Sequence, residues 1–450
     1  MSRVLRACLV SVLFLLAAAP AQAAQSAAFG KPVKVTPPGG GGYEPAVVAG
    51  PFGDIFVTAH KENAEDALAP DSGSQSGTRS SSWAWVSVDG GRSFTDIPGL
   101  PLNAENRWVG DEGDLSIDGA NHLYFVDTNV TDDNLTRWSI RGPGLGGIGI
   151  DYTRPLMPTA QPVDDRPWIT SHSSSSVFYF GNEGDKTTYP LGTGAKGSGM
   201  GRYTVYQSYD GGASFSLTGY TLPDSGWCRP AADPRAGSAY VYAVCTNDGG
   251  SNDITDSCPC DPGIIWAYVS SDNGHTFSRH QVGTYEALDG TTSWPTVAIG
   301  PRGDVWALYV NGILDKNGNT VENRLLLFHS TDHGATWTRQ DITPLRGRYH
   351  YSWLSISPDG RFLGVGLYYR PDNSSPWRVY GAIWRPGGRP SLVSLDPANP
   401  VAPANREAPG DLLGSAFNAD GTLDVVWTRD VVVTPAATLF REIYFARSTP

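Results

Sequence analysis

After its first two dozen residues the 450-residue chain has no apolar run near the roughly 18 to 20 residues that a membrane-spanning helix needs. It has no long stretch with a 3.6-residue apolar period, and it has no excess of basic charge. Each absence excludes a class. Without a later apolar run there is no membrane span. Without helical periodicity, and with 53 glycines and 34 prolines breaking the chain every few residues, the helical folds are excluded and the class is all-β. With 33 lysines and arginines against 45 aspartates and glutamates, a formal net charge of −12, nucleic acid is excluded as a partner, because phosphate binding needs a basic footprint.

The strongly apolar stretch lies at the start. Arg3 and Arg6 precede "CLVSVLFLLAAAP", and Ala21-Gln22-Ala23 follows as a small-residue cleavage site. This is the pattern of a secretory signal peptide over residues 1–23. Residues 24–450 are then expected to be exported, extracellular or periplasmic, as a single domain and a monomer. Cysteine is scarce, and Cys228, Cys245, Cys258 and Cys260 fall close together in an exported chain, so disulfides are expected rather than a metal site. Cys228 and Cys245 flank a turn near Pro234 to Gly237, and antiparallel pairing there predicts a Cys228–Cys245 bond.

What the sequence has in abundance is repetition. "SVDGGRSF" from Ser87, "SYDGGASF" from Ser208, "SSDNGHTF" from Ser270 and "STDHGATW" from Ser330 share one pattern, S-x-D-x-G-x-x-[FW]. A fifth copy has decayed within "SIRGPGLGGI" from Ser139. In this turn the Ser hydroxyl and Asp carboxylate hold turn N–H groups, Gly supplies positive φ and the aromatic tucks between strands. That is a fold staple, so Asp89, Asp210, Asp272 and Asp332 are read as structural.

A second pattern keeps the same period of about sixty residues: an alternating apolar run, a Gly turn, then a strand rich in valine and aromatics. It begins at Glu44, Gly110, Asp165, Cys228, Ser293, Tyr351 and Gly410. Seven such units, each with room for four strands, predict a seven-bladed β-propeller. The last unit stops at "EIYFARSTP" with no fourth strand, whereas the mature N-terminus opens with "FGKPVKVTP", a fourth strand without a predecessor. The N-terminal strand is therefore expected to close the ring.

The four boxes resemble the Asp-box, or BNR, repeat of the sialidase superfamily of propellers, over essentially all of the exported chain. The resemblance implies a carbohydrate-acting protein, since the superfamily holds sialidases, other glycosidases and polysaccharide lyases alongside silent assembly propellers. Familiar sialidases have six blades, the alternative count here. They also carry an early Arg-Ile-Pro motif, where this chain reads "YEPAV" with Glu44 and no arginine.

Propeller topology puts the boxes on one face and the D–A and B–C connections on the other, around a central funnel. The starts of the inner strands supply the candidates there: Glu44, Asp111 with Glu112, Asp114, Asp165 with Arg166, Arg229, Trp294, Tyr349 with His350 and Tyr351, and Asp411, with Arg107 just upstream. Arginines pair with the carboxylate of an acidic sugar, aromatics stack on pyranose faces, and paired carboxylates work as acid and base.

Three functions fit. In an exo-sialidase-type glycoside hydrolase, Tyr349 or Tyr351 is the nucleophile and the acid comes from Asp111, Asp114 or Asp165. Arg107, Arg166 and Arg229 then hold the substrate, with Glu44, Trp294 and Asp411 completing the wall. In a lyase on uronate-containing glycans, His350 and a neighbouring tyrosine move the protons. In a silent propeller, the same funnel binds a glycan or an envelope protein. No cofactor is expected: the acidic oxygens of the loop from Asn247 could bind a structural Ca²⁺, but their spacing matches no defined calcium loop, so a solvated turn is the preferred reading.

Overall fold

The computed structural model of the chain describes residues 27–38, 40–63, 82–100, 113–128, 133–156, 167–172, 175–182, 203–223, 225–246, 263–285, 294–314, 320–406, 408–410, 412–432 and 439–449. These residues form seven four-stranded antiparallel sheets, each a blade with strands A to D from the axis outward. The A strands are Gly40–Ala49, Gly113–Ile117, Trp168–Ser171, Cys228–Ala232, Thr296–Ile299, Arg348–Ile356 and Gly414–Phe417. Each touches the A strand of the next blade, and blade 7 touches blade 1, so the ring is closed. The sevenfold expectation holds. Among the described residues, no helix is long and apolar enough to cross a membrane.

The inner strands use small hydroxyl side chains where neighbouring blades meet. Ser116 Oγ lies 2.8 Å from Ser171 Oγ, Ala232 N donates to Thr170 Oγ1 at 2.9 Å, Leu354 N donates to Thr296 Oγ1 at 3.2 Å, and Ser355 Oγ donates to the Ser415 carbonyl at 2.8 Å. The last three of these bonds serve backbone groups of the inner strands. Farther out the interfaces are apolar. Val47, Ile55 and Val57 of blade 1, for example, pack on Val426, Ile443 and Phe445 of blade 7.

The ring closes as the sequence predicts. Val33 pairs with Phe445 and Lys34 with Tyr444, giving blade 7 its D strand from the N-terminal side, and Phe29 bridges to Ser448. Lys34 also pairs with Glu442 of the neighbouring C strand. Cys228 lies opposite Cys245 in the blade 4 ladder, and the two form the expected disulfide. Cys258 and Cys260 lie outside the described residues, as do the segment expected to be a signal peptide and the acidic loop from Asn247.

Each box is a closed hydrogen-bonded turn. In the first, Ser87 Oγ donates to Asp89 Oδ1 at 2.8 Å and accepts from Gly91 N at 2.9 Å, while Ser93 Oγ donates to Asp89 Oδ2 at 2.7 Å. The same set recurs around Asp210, Asp272 and Asp332. The glycine shared by the boxes also faces the preceding blade: a Cβ on Gly91 would sit 2.1 Å from Phe445, and one on Gly274 would sit 2.7 Å from Phe178. The boxes thus brace blade against blade as well as closing a turn. The decayed copy is the C–D turn of blade 2, where Ser139 Oγ donates to Asp151 Oδ2 at 2.9 Å.

Candidate functional site

The box turns share their face with the A–B turns, since Gly211 N donates to the Ser175 carbonyl and Asn273 N to that of Ala239. The B–C and D–A connections therefore end on the opposite face, where the inner strands begin. Two polar clusters occupy that end.

The first lies near the axis. Asp114 of blade 2 is fully buried and receives a two-pronged contact from Arg229 of blade 4, Nη1 to Oδ2 at 3.1 Å and Nη2 to Oδ1 at 3.3 Å, together with the Ile169 N–H at 3.0 Å. The Arg229 guanidinium lies 4.2 Å from the ring centroids of both Trp168 of blade 3 and Trp353 of blade 6. Trp294 of blade 5 meets Trp168 edge-on at 5.7 Å and Trp227 at 4.0 Å. Five blades thus meet at one ion pair. Burial pushes the Asp114 carboxyl up and the Arg229 guanidinium down, and their mutual contact opposes both shifts. Arg229, expected to hold substrate, and Asp114, expected as an acid, are here each other's partners.

The second cluster lies where blades 6, 7 and 1 meet. Glu44, Arg406, Ala408, Gly410, Asp430 and Arg441 line a cavity of about 260 Å³. Glu44 occupies a β-bulge in strand A of blade 1, where the register with strand B shifts between Tyr43 and Ala46, and its φ is +55°. Its N–H donates to Thr428 Oγ1 of blade 7 at 3.1 Å, and its Oε2 lies 3.1 Å from His60 Nε2. Gly410 comes so close that a Cβ there would meet Glu44 Cγ at 3.0 Å. Asp430, with a side chain 4% exposed, has Arg406 Nε at 3.9 Å and Arg441 Nε at 4.0 Å. Both are ion-pair distances beyond hydrogen-bond reach. Burial raises the Asp430 carboxyl above the usual carboxylate range, against the pull of Arg441 and Arg406.

Blade 6 repeats the bulge. Tyr351 stands nine residues before its turn glycine, Gly360, as Glu44 stands nine before Gly53, and it too sits at a register shift with positive φ, +36°. Among the described residues the other non-glycine positive φ values fall in turns, at Asn121, Asn273 and His333. A non-glycine side chain held in that region costs about 1–3 kcal/mol, and such strain concentrates at functional sites, as β-bulges do.

The remaining blade 6 candidates divide. His350 is 2% exposed, packs edge-on against Tyr351 at 4.0 Å, and has its pKa lowered to about 3 by burial and then by Arg348 and Arg370. Tyr349 turns away from this group: its hydroxyl donates to the Leu345 carbonyl at 2.5 Å and its ring packs on Tyr369. Arg107, Asp111, Glu112, Asp165, Arg166 and Asp411 lie outside the described residues. Sequence reasoning missed Arg406, Asp430, Arg441 and His60. Asp430 and Arg441 belong to ordinary outer-blade strands and Arg406 to a connection, and no motif marks them.

No family model matches the chain, and no curated protein does. Solved structures do. A crystal structure of a protein of unknown function from Dyadobacter fermentans shares 14% identity over 93% of this chain and 98% of its own, with a TM-score of 0.50. The likeness shows a shared fold. An ulvan lyase bound to a GlcA–Rha3S repeat covers 93% of both chains at 9% identity and a TM-score of 0.45. A mutant of the NanB sialidase of Streptococcus pneumoniae covers 90% of this chain and 68% of its own at 10% identity and a TM-score of 0.43.

Proposed function

We propose that this protein acts on carbohydrate, as a glycoside hydrolase whose working site is the polar pocket between blades 6, 7 and 1. The carrying observation is the pair of strained bulges at Glu44 and Tyr351, which flank blade 7 on either side, with a buried carboxyl, Asp430, in the wall between two arginines. Glycoside hydrolysis needs one carboxylic acid kept protonated to serve the leaving oxygen and a second group to attack or to activate water. Asp430, raised by burial, suits the first role, and Glu44 the second, with Tyr351 as the alternative nucleophile. The Asp-box resemblance supports the substrate class. Arg107 and Arg166 remain proposed substrate contacts; Arg229 serves the axial ion pair in this reading.

A lyase reading has one specific point in its favour, the neutral imidazole of His350 beside Tyr351 with Arg348 and Arg370 near it. The burial that keeps His350 neutral also makes it a weak base for carbon acids, so hydrolysis is preferred. The test is a glycan panel read for released reducing sugar and for the ultraviolet absorbance of a 4,5-unsaturated product. The parent is expected to release sugar without that absorbance, and Asp430→Asn to lower turnover by about 10²–10⁴-fold while melting near the parent. Unsaturated product, or an Asp430→Asn variant as fast as the parent, sinks the reading.

A further inference from the structure

Glu44 sits on a bulge, and a bulge fixes the backbone without fixing the side chain. Something behind it must set where the carboxylate points. On strand B of blade 1, Ile55–Asn63, the residue paired with Tyr43 is His60, which is 3% exposed. Its Nε2 lies 3.1 Å from Glu44 Oε2. Its ring stacks on Tyr43 at 4.2 Å between centroids, with 29° between planes. The Arg441 guanidinium covers the Tyr43 ring at 4.6 Å, and Arg441 Nε lies 4.0 Å from Asp430 Oδ1. The run Glu44–His60–Tyr43–Arg441–Asp430 therefore leaves the pocket wall at one carboxyl and returns to it at the other.

The geometry points to His60 as a positioning residue that holds the Glu44 carboxylate in its working rotamer, itself held flat by Tyr43 under Arg441. The catalytic consequence rests on the hydrolase reading above; the Glu44–His60 coupling does not. A buried side chain that orients a reacting group through one close nitrogen-to-carboxylate contact changes turnover more than binding, because the misplaced group still leaves the pocket's shape intact. The ionisable groups around the pair are Tyr43, Arg441, Asp430, Arg406 and Tyr368, the last electrostatically linked to both Asp430 and Glu44.

Two substitutions separate the nitrogen from the ring. His60→Gln keeps a donor near the Nε2 position and loses the stack, whereas His60→Phe keeps the stack and loses the donor. With the best substrate of the glycan panel, His60→Phe is expected to lower kcat by about 10–100-fold, the loss typical of removing a group that orients a ligand or catalyst, with KM within about twofold and melting near the parent. His60→Gln is expected to recover most of kcat while melting lower. If His60→Phe turns over like the parent, or if kcat follows the ring and not the donor, the assignment is overturned.

A second measurement needs no substrate. In protein labelled with ¹³C at glutamate carboxyls, the Glu44 resonance is assigned by its loss in Glu44→Gln. Its titration is expected to move in His60→Phe and to move less in His60→Gln. An unchanged titration in folded His60→Phe overturns the coupling. Sugar release by no glycan, alongside a shifted titration, overturns the hydrolase reading while supporting His60 as the residue that positions Glu44.

Discussion

The two polar clusters on the funnel-facing end of the propeller use the same ingredients to opposite ends. At the axis, Asp114 is bound by both Nη atoms of Arg229 at 3.1 and 3.3 Å and by a backbone N–H, and the arginine is flanked by two tryptophans. At the blade 6–7–1 junction, Asp430 has two arginines at 3.9 and 4.0 Å, and its Oδ1 is buried without a hydrogen bond. A carboxylate with both oxygens committed to rigid donors is a joint. A buried carboxyl whose cations stand just too far to bond, beside a cavity, keeps capacity for a ligand. The axial cluster draws on blades 2 to 6, and the pocket lies where blade 6 meets blades 7 and 1. The ring is locked over most of its circumference and leaves a polar cavity where the chain closes on itself.

The largest effect that would break this comparison comes from the axis. Asp114→Ala leaves the Arg229 charge buried without its carboxylate, a loss expected at about 3–5 kcal/mol, whereas replacing both by apolar residues of similar size is expected to be close to neutral. Urea unfolding of the single and double variants decides it. A single variant as stable as the parent would mean that the pair is not a lock, and Arg229 would return to the list of substrate contacts.

A smaller effect, of distinct shape, is expected from pH. Burial, and then Arg348 and Arg370, hold the His350 pKa at about 3, below its ordinary 6.5. A depressed folded-state pKa contributes stability that is complete above about pH 6.5 and is lost as pH falls toward about 3. The box aspartates act lower: burial raises Asp89, but bonds from Ser93 and Ser87 outweigh it and bring the carboxyl to about 2. The Asp89 share is complete above the ordinary 3.8 and lost as pH falls toward about 2. Melting temperature against pH should therefore fall in two stages, and His350→Phe should flatten the upper one alone. A His350→Phe profile parallel to the parent's throughout would place the upper stage elsewhere.

The smallest effect belongs to the opposite face. Asp210 accepts from Ser208 Oγ, Ser214 N and Ser214 Oγ, so Asp210→Ala is expected to cost about 1 kcal/mol or somewhat more. Turnover of the folded fraction should be untouched. Lost turnover without lost stability would mean that the boxes, and not the pocket, carry the activity.

Glu44 shows how far the sequence reached toward the site. It was visible as the odd residue where the Asp-box resemblance leads one to expect an arginine, and the structure sets it in the pocket wall. Asp114, Arg229 and Trp294 were visible too, because inner strands begin at regular intervals. Their pairing was not, since Asp114 and Arg229 are 115 residues apart and meet only because blades 2 and 4 face one axis. Arg406, Asp430 and Arg441 carried no signal at all. "TRDVVV" reads as one more outer-blade strand, and the connection that holds Arg406 has no motif.

The sequence by itself determined the class, the number of blades, the face of the staples, the Cys228–Cys245 bond and the closing strand. All of these follow from local rules: the period-2 alternation, the positive-φ glycine of each box, and a strand count that leaves one unit a strand short. Only the tertiary structure decided which charges neutralise each other and which stay poised. That depends on where the folded blades and their connections bring each charge, and a few tenths of an ångström there separate a bound carboxylate from one left facing a cavity.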